Sequence, residues 1–174
     1  MTCIAGVVDG ARAFIGGDSL GVAGSSCVAR KDEKVFRNGP FLMGFTDSFR
    51  MGQLLRYAFT PPERKPDEPV YRFMVTTFVD AVRACLKAGG FAKSENAQES
   101  AGSFMVIYQG RLFVVYSDYQ VEEAVHEFAA LGCGRDVALG ALHATRGRPA
   151  PERLQAALSA AEEFTNGVRR PFVV

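Results

Sequence analysis

Hydrophobic periodicity in this chain switches between the two-residue repeat of strands and the 3.6-residue repeat of helices. The order of those switches restricts the fold more than composition does. Segments 2–8, 13–18, 27–31, 34–37 and Phe41–Phe45 are short, apolar or alternating, and read as strands. Asp9-Gly10 and Asn38-Gly39-Pro40 supply turns between them, and the small, polar segment 21–26 reads as a loop or bulged edge. Residues 48–59 then place Phe49, Leu54, Leu55 and Ala58 at helical spacing behind Asp47 or Ser48 as a cap. A charged, proline-rich stretch at 60–69 breaks that helix. A second helix over 70–87 carries Phe73, Met74, Phe78, Val82 and Cys85 on one face and stops at Gly89-Gly90.

The polar segment 92–101 is expected to be a mobile surface loop. Strands return at 103–108, 112–116 and 125–130, the first two joined by Gln109-Gly110-Arg111. Helices at 135–145 and 151–164 and a last strand at 171–174 complete the chain. Strands, two helices, strands, two helices is the order of two stacked, mainly antiparallel sheets flanked by helices. An α+β, four-layer αββα sandwich is therefore expected, as a single domain over 1–174.

A self-contained nucleophile can be assembled from residues at the front of this pattern. Thr2 follows the initiator methionine, Asp18 lies in Gly16-Gly17-Asp18-Ser19, and Lys34 comes sixteen residues later. Removal of Met1 would leave a hydroxyl and an α-amine on one residue. Such an amine has an ordinary pKa of about 7.7–8.0 and can take the hydroxyl proton near neutrality. A buried Lys34 would favour the neutral amine, and Asp18 would offset a cation that is costly to bury. Each residue also has a plainer reading. Thr2 could be an edge-strand threonine, Asp18 a turn residue, and Lys34 a solvated strand charge with Arg30, Lys31 and Arg37 as rivals.

Thr2-Cys3-Ile4-Ala5-Gly6-Val7, Ile15-Gly16-Gly17-Asp18 and Lys34-Val35 together resemble the proteasome β-subunit family of N-terminal-nucleophile (Ntn) hydrolases, and within it the heat-shock-locus V (HslV) type. Counted from Thr2, the acid stands seventeenth and the lysine thirty-third, as in the family pattern. Met43-Gly44-Phe45 matches the strand whose glycine N–H forms the family's oxyanion hole, and Gly132-Cys133-Gly134 matches its Gly-Ser-Gly turn. The resemblance extends to about Asn166. It implies catalytic roles for Thr2, Asp18, Lys34 and Gly44, with Ser19, Cys133, Glu163 and Asn166 as a supporting shell. Two departures stand out: Cys133 replaces a serine, and Glu163 and Asn166 are the nearest substitutes for a family Asp-x-x-Ser-Gly. Gly44 could equally be a glycine required between packed strands, and Cys133 a structural thiol.

The resemblance further implies a threonine-type peptidase needing no metal or organic cofactor. It implies a polypeptide substrate, a homo-oligomeric ring and an ATP-dependent unfoldase as partner. An Ntn amidohydrolase acting on a small acylated molecule is one alternative. An inactive proteasome-like subunit that keeps Met1 is another.

The remaining features narrow the field. A net charge of +1, with no basic cluster interleaved with aromatics, gives little support to nucleic-acid binding. No signal peptide or apolar run of about 20 residues is present, so a cytoplasmic location and no membrane partner are expected. The four cysteines form no CxxC pair and are expected to be mostly buried, reduced thiols. His126 and His143 stand apart and match no metal-ligand spacing.

Overall fold

In the computed structural model, which describes residues 1–95 and 98–174, two sheets lie face to face between helices. The first has the order β12-β1-β2-β13, built from β1 (Cys3–Asp9), β2 (Arg12–Asp18), β12 (Phe128–Gly132) and β13 (Phe172–Val173). The second has the order β11-β10-β9-β6-β5. It comprises β5 (Val35–Asn38), β6 (Phe41–Phe45), β9 (Phe104–Tyr108), β10 (Arg111–Val115) and β11 (Val121–Glu123). All pairings are antiparallel.

Residue alternation along the strands explains the layering. In β1, Cys3, Ala5 and Val7 face α4 (Arg135–Ala144) and α5 (Ala150–Phe164), meeting Ala138, Leu142, Leu154 and Leu158. Ile4 and Val8, on the other face, join Ile15, Val35, Met105, Leu112 and Leu131 between the sheets. The outer face of the second sheet sends Phe41, Met43, Phe45, Phe104 and Val106 against α1 (Phe49–Tyr57) and the helix that follows. That helix runs as α2 (Val70–Phe73), a π-helical segment (Met74–Phe78) and α3 (Val79–Ala88). Three apolar clusters thus fill the three spaces of an αββα sandwich, as the element order predicts.

Several local expectations change. Segment 21–26 belongs to a hairpin, β3 (Leu20–Ala23) with β4 (Ser26–Ala29), whose second strand is exposed along its whole length. With no buried face it shows no apolar alternation, so pairing rests on its backbone. Segment 92–101 also contains a hairpin, β7 (Lys93–Glu95) with β8 (Gln98–Ser100); residues 96 and 97 lie outside the described residues. The expected strand at 125–130 begins at Phe128, because residues 125–127 form a turn with Val125 exposed. The acidic edge strand β11 carries little apolar signal; Glu123 pairs bidentately with Arg111 at 2.6 and 2.5 Å. All four cysteines are free, but only Cys3 is buried: Cys27 and Cys133 are exposed and Cys85 is half-buried.

Candidate active site

Strand register brings the front of the chain together. Ile4 pairs with Gly17, so Asp18, one residue beyond, lies beside the Cys3 backbone. Asp18 Oδ1 accepts the Cys3 N–H at 2.9 Å and Oδ2 accepts the Leu20 N–H at 3.0 Å. Lys34 arrives from the other sheet, just before β5, where its carbonyl accepts the Phe45 N–H at 3.1 Å. Its ammonium donates to Asp18 Oδ1 and to Thr2 Oγ, both at 2.9 Å, and to the Met1 carbonyl at 3.5 Å. Three partners match the three donors of an ammonium. Thr2, Asp18 and Lys34 are 4%, 1% and 2% exposed.

Such burial is tolerable only because the charges meet. Removal from water lowers the Lys34 pKa below its ordinary value, and the Asp18 charge opposes that shift without cancelling it. The neighbouring Cys3 thiol is pushed up to about 12, mainly by burial and then by the Asp18 charge. It stays a thiol at neutral pH and is no rival nucleophile.

Thr2 is gripped from its other side by the turn after β12. Its N–H donates to Cys133 Sγ at 3.3 Å, the Cys133 thiol donates to the Thr2 carbonyl at 3.4 Å, and the Gly134 N–H reaches that carbonyl at 3.3 Å. Gly132 makes this approach possible. It lies at φ +89°, and a Cβ there would collide with the Thr2 carbonyl. With Met1 attached, the Thr2 nitrogen is an amide and Thr2 Oγ donates to the Met1 carbonyl. Met1, 56% exposed, covers the hydroxyl from solvent.

The other expected residues divide. Ser19 is buried beside Asp18, its N–H on the Arg169 carbonyl at 3.2 Å and its carbonyl accepting the Arg30 N–H at 2.8 Å. Glu163 and Asn166 are exposed and make no hydrogen bond to Thr2 or Cys133 among the described residues. The chain instead brings the Gly167 backbone against Met1 and Cys133, where a side chain has no room.

Gly44 is also redirected. Phe45 donates its N–H to β5, while Thr46 donates to the Ser103 carbonyl on the β9 side at 3.0 Å. Because antiparallel ladders alternate, the Gly44 N–H belongs to the β9 ladder opposite Met105 and is not free for an oxyanion. Its missing side chain serves packing: a Cβ would come within 2.7 Å of Ile4 Cγ2 and 2.9 Å of Ile15 Cδ1. Two residues beyond the Phe45 N–H, past the end of β6, comes the N–H of Asp47. It makes no hydrogen bond among the described residues. Asp47 lies at φ +64° and is pinned by its carboxylate, which accepts the Ser103 N–H at 2.7 Å. An aspartate where glycine would be cheaper left no sequence signal beyond a possible helix cap. Among the described residues no group of three or more His, Cys, Asp or Glu is placed to hold a metal ion.

No family model matches the chain, and no curated protein matches it by sequence. Its shape does match solved structures. BPH from Thiobacillus denitrificans, in complex with epoxomicin, aligns with a TM-score of 0.80 at 22% identity, over 99% of this chain and 96% of that one. Eukaryotic HslV from Trypanosoma brucei gives 0.68 at 16%, over 99% and 97%. Anbu from Pseudomonas aeruginosa, solved as a helical assembly, gives 0.63 at 18%, over 99% and 79%. The fold is therefore that of the proteasome-type Ntn hydrolases.

Proposed function

We propose that this chain, on its proteasome-type fold, is a threonine-type amide hydrolase that cleaves peptide bonds once Met1 has been removed. The observation that carries the reading is the placement of Lys34 Nζ at 2.9 Å from both Thr2 Oγ and Asp18 Oδ1, with all three residues buried. The freed Thr2 amine takes the proton from Oγ as Oγ attacks the substrate carbonyl. The Lys34 charge disfavours a second positive charge on that amine, keeping it available as base. The Asp47 N–H, in place of that of Gly44, stabilises the oxyanion. The protonated amine then gives its proton to the departing nitrogen. Water, deprotonated by the same amine, hydrolyses the ester and restores Thr2.

Epoxomicin, found on BPH, is the appropriate probe. An epoxyketone needs a hydroxyl to attack its ketone and an amine to open its epoxide, so it reports both groups of a free N-terminal threonine. Intact mass should show a chain lacking Met1 that gains one whole inhibitor molecule. Thr2→Ala should abolish the adduct and Lys34→Ala should slow its formation sharply. An adduct that persists in Thr2→Ala would refute the mechanism, as would no adduct on a chain whose Met1 is gone. Turnover of small amides but not of peptides would replace the peptidase reading with an amidohydrolase one.

The covering of Thr2 by Met1 favours a second reading, an inactive subunit, for any protein whose mature mass includes that methionine. Assembly into a homo-oligomeric ring, delivery of polypeptides by an ATP-dependent unfoldase and a cytoplasmic location complete the proposal. Among the described residues no helix is long and apolar enough to cross a membrane. Light scattering on the purified protein tests the ring: a monomer at micromolar concentration would remove it.

A further inference from the structure

Far from Thr2, at the other end of β1, a cleft of about 610 Å³ opens between Val8-Asp9, the 125–127 turn and the loop from α4 to α5. The length of β1 separates it from the nucleophile by roughly 20 Å, taking ~3.3 Å per strand residue. Arg146, Arg148 and Arg153 line it together with His126, Asp9 and Glu127. The guanidinium groups of Arg146 and Arg153 lie 5.2 and 5.3 Å from the Phe128 ring centroid, and the His126 ring lies 5.9 Å from it. Three cationic or titratable groups therefore gather around one buried ring.

Arg153 is the unusual member. It is only 9% exposed, and none of the three arginines pairs with a carboxylate among the described residues. One Arg153 nitrogen, Nη2, donates to the Leu142 carbonyl at 3.2 Å, while the buried Nε has no partner. A buried guanidinium without a counter-charge is costly. The carbonyl end of α4 orients it but brings no full negative charge. Pro149, the N-cap of α5, also lines this cleft, and no side-chain hydrogen bond caps the helix there.

We propose that this cleft binds a small phosphomonoester bearing hydroxyl groups. The arginine forks match phosphate oxygens in charge and geometry. Asp9 and Glu127, unpaired with the arginines, accept the ligand's hydroxyls, and the volume is that of a small-molecule site. The cleft would bind such a ligand whether or not Thr2 is catalytically active.

Titration calorimetry in 0.15 M NaCl, with glucose 6-phosphate, inorganic phosphate and glucose as probes, tests it on the full chain. Glucose 6-phosphate should bind saturably at one site per chain, more tightly than inorganic phosphate, and glucose should give no signal. The double substitution of the exposed pair, Arg146→Ala with Arg148→Ala, should weaken both phosphates at least about tenfold. Asp9→Asn with Glu127→Gln should weaken the sugar phosphate alone. Thr2→Ala should bind as the parent does. Absence of saturable binding, or binding unchanged in the arginine pair, would overturn the site. Inorganic phosphate binding as tightly as the sugar phosphate would overturn the assignment of the carboxylates.

Discussion

Replacing Lys34 by Met keeps an apolar stem one atom shorter than the lysine side chain while deleting its charge. What remains is the Asp18 carboxylate, with essentially no side-chain exposure. Breaking a buried ion pair by removing one partner costs about 3–5 kcal/mol, mostly through the charge left behind. Asp18 keeps its two backbone donors, at 2.9 and 3.0 Å, which argues for the lower end, about 3 kcal/mol. For a chain of 174 residues that corresponds to a melting temperature lower by roughly 6–12 °C. Urea titration and calorimetry measure it directly. The double variant Lys34→Met with Asp18→Asn should recover at least half of the loss, because no uncompensated charge stays buried. A single variant within about 1 kcal/mol of the parent would refute the reasoning, and so would a double variant less stable than the single one.

Other expectations follow from the same neighbourhood. The Cys3 thiol, raised from 9.0 to about 12 in the folded chain, lends stability that is complete below pH 9 and is lost as pH climbs toward 12. By pH 10 about 1 kcal/mol should have gone relative to pH 7, and Cys3→Ala, compared with the parent by urea titration, should lack this component. Gly132→Ala, forced into φ +89° against the Thr2 carbonyl, should lose on the order of 3 kcal/mol, and its epoxomicin adduct should form more slowly at a temperature where it is folded. Cys133→Ser replaces a weak sulfur partner of the Thr2 nitrogen with a stronger one, so adduct formation, timed by mass spectrometry, should accelerate. Ser48→Ala removes the side-chain acceptor of the Arg50 N–H and should cost about 1 kcal/mol in denaturant titration.

The sequence revealed what depends on period and on fixed spacing. The apolar run Cys-Ile-Ala-Gly-Val-Val was legible as a strand, and its lack of polar alternation agrees with the burial of β1 on both faces. The meeting of Thr2, Asp18 and Lys34 side chains was legible from their spacing along the chain. Ladder parity was not legible. Gly44 looks like an oxyanion donor in a string of letters, and only the Phe45 and Thr46 hydrogen bonds place its N–H in the β9 ladder, while the Asp47 N–H has no partner among the described residues. Glu163 and Asn166 are exposed, and it is the backbone at Gly167, three residues beyond α5, that meets Met1 and Cys133, a placement with no signal in residue type. β3 and β11 escaped because short edge strands with largely solvated faces carry little burial signal, while β4 was read through the strand expected at 27–31. The π-helical segment at Met74–Phe78 changes how the apolar stripe advances, which a constant 3.6-residue repeat does not anticipate.

The seating of Met1 against Gly167 and Cys133 has a practical corollary for recombinant production. An affinity handle fused ahead of Thr2 would have to leave through that crowded gap and would block the amine. The carboxyl end, at the half-exposed Val174 beside edge strand β13, is the terminus to which a purification tag should be attached.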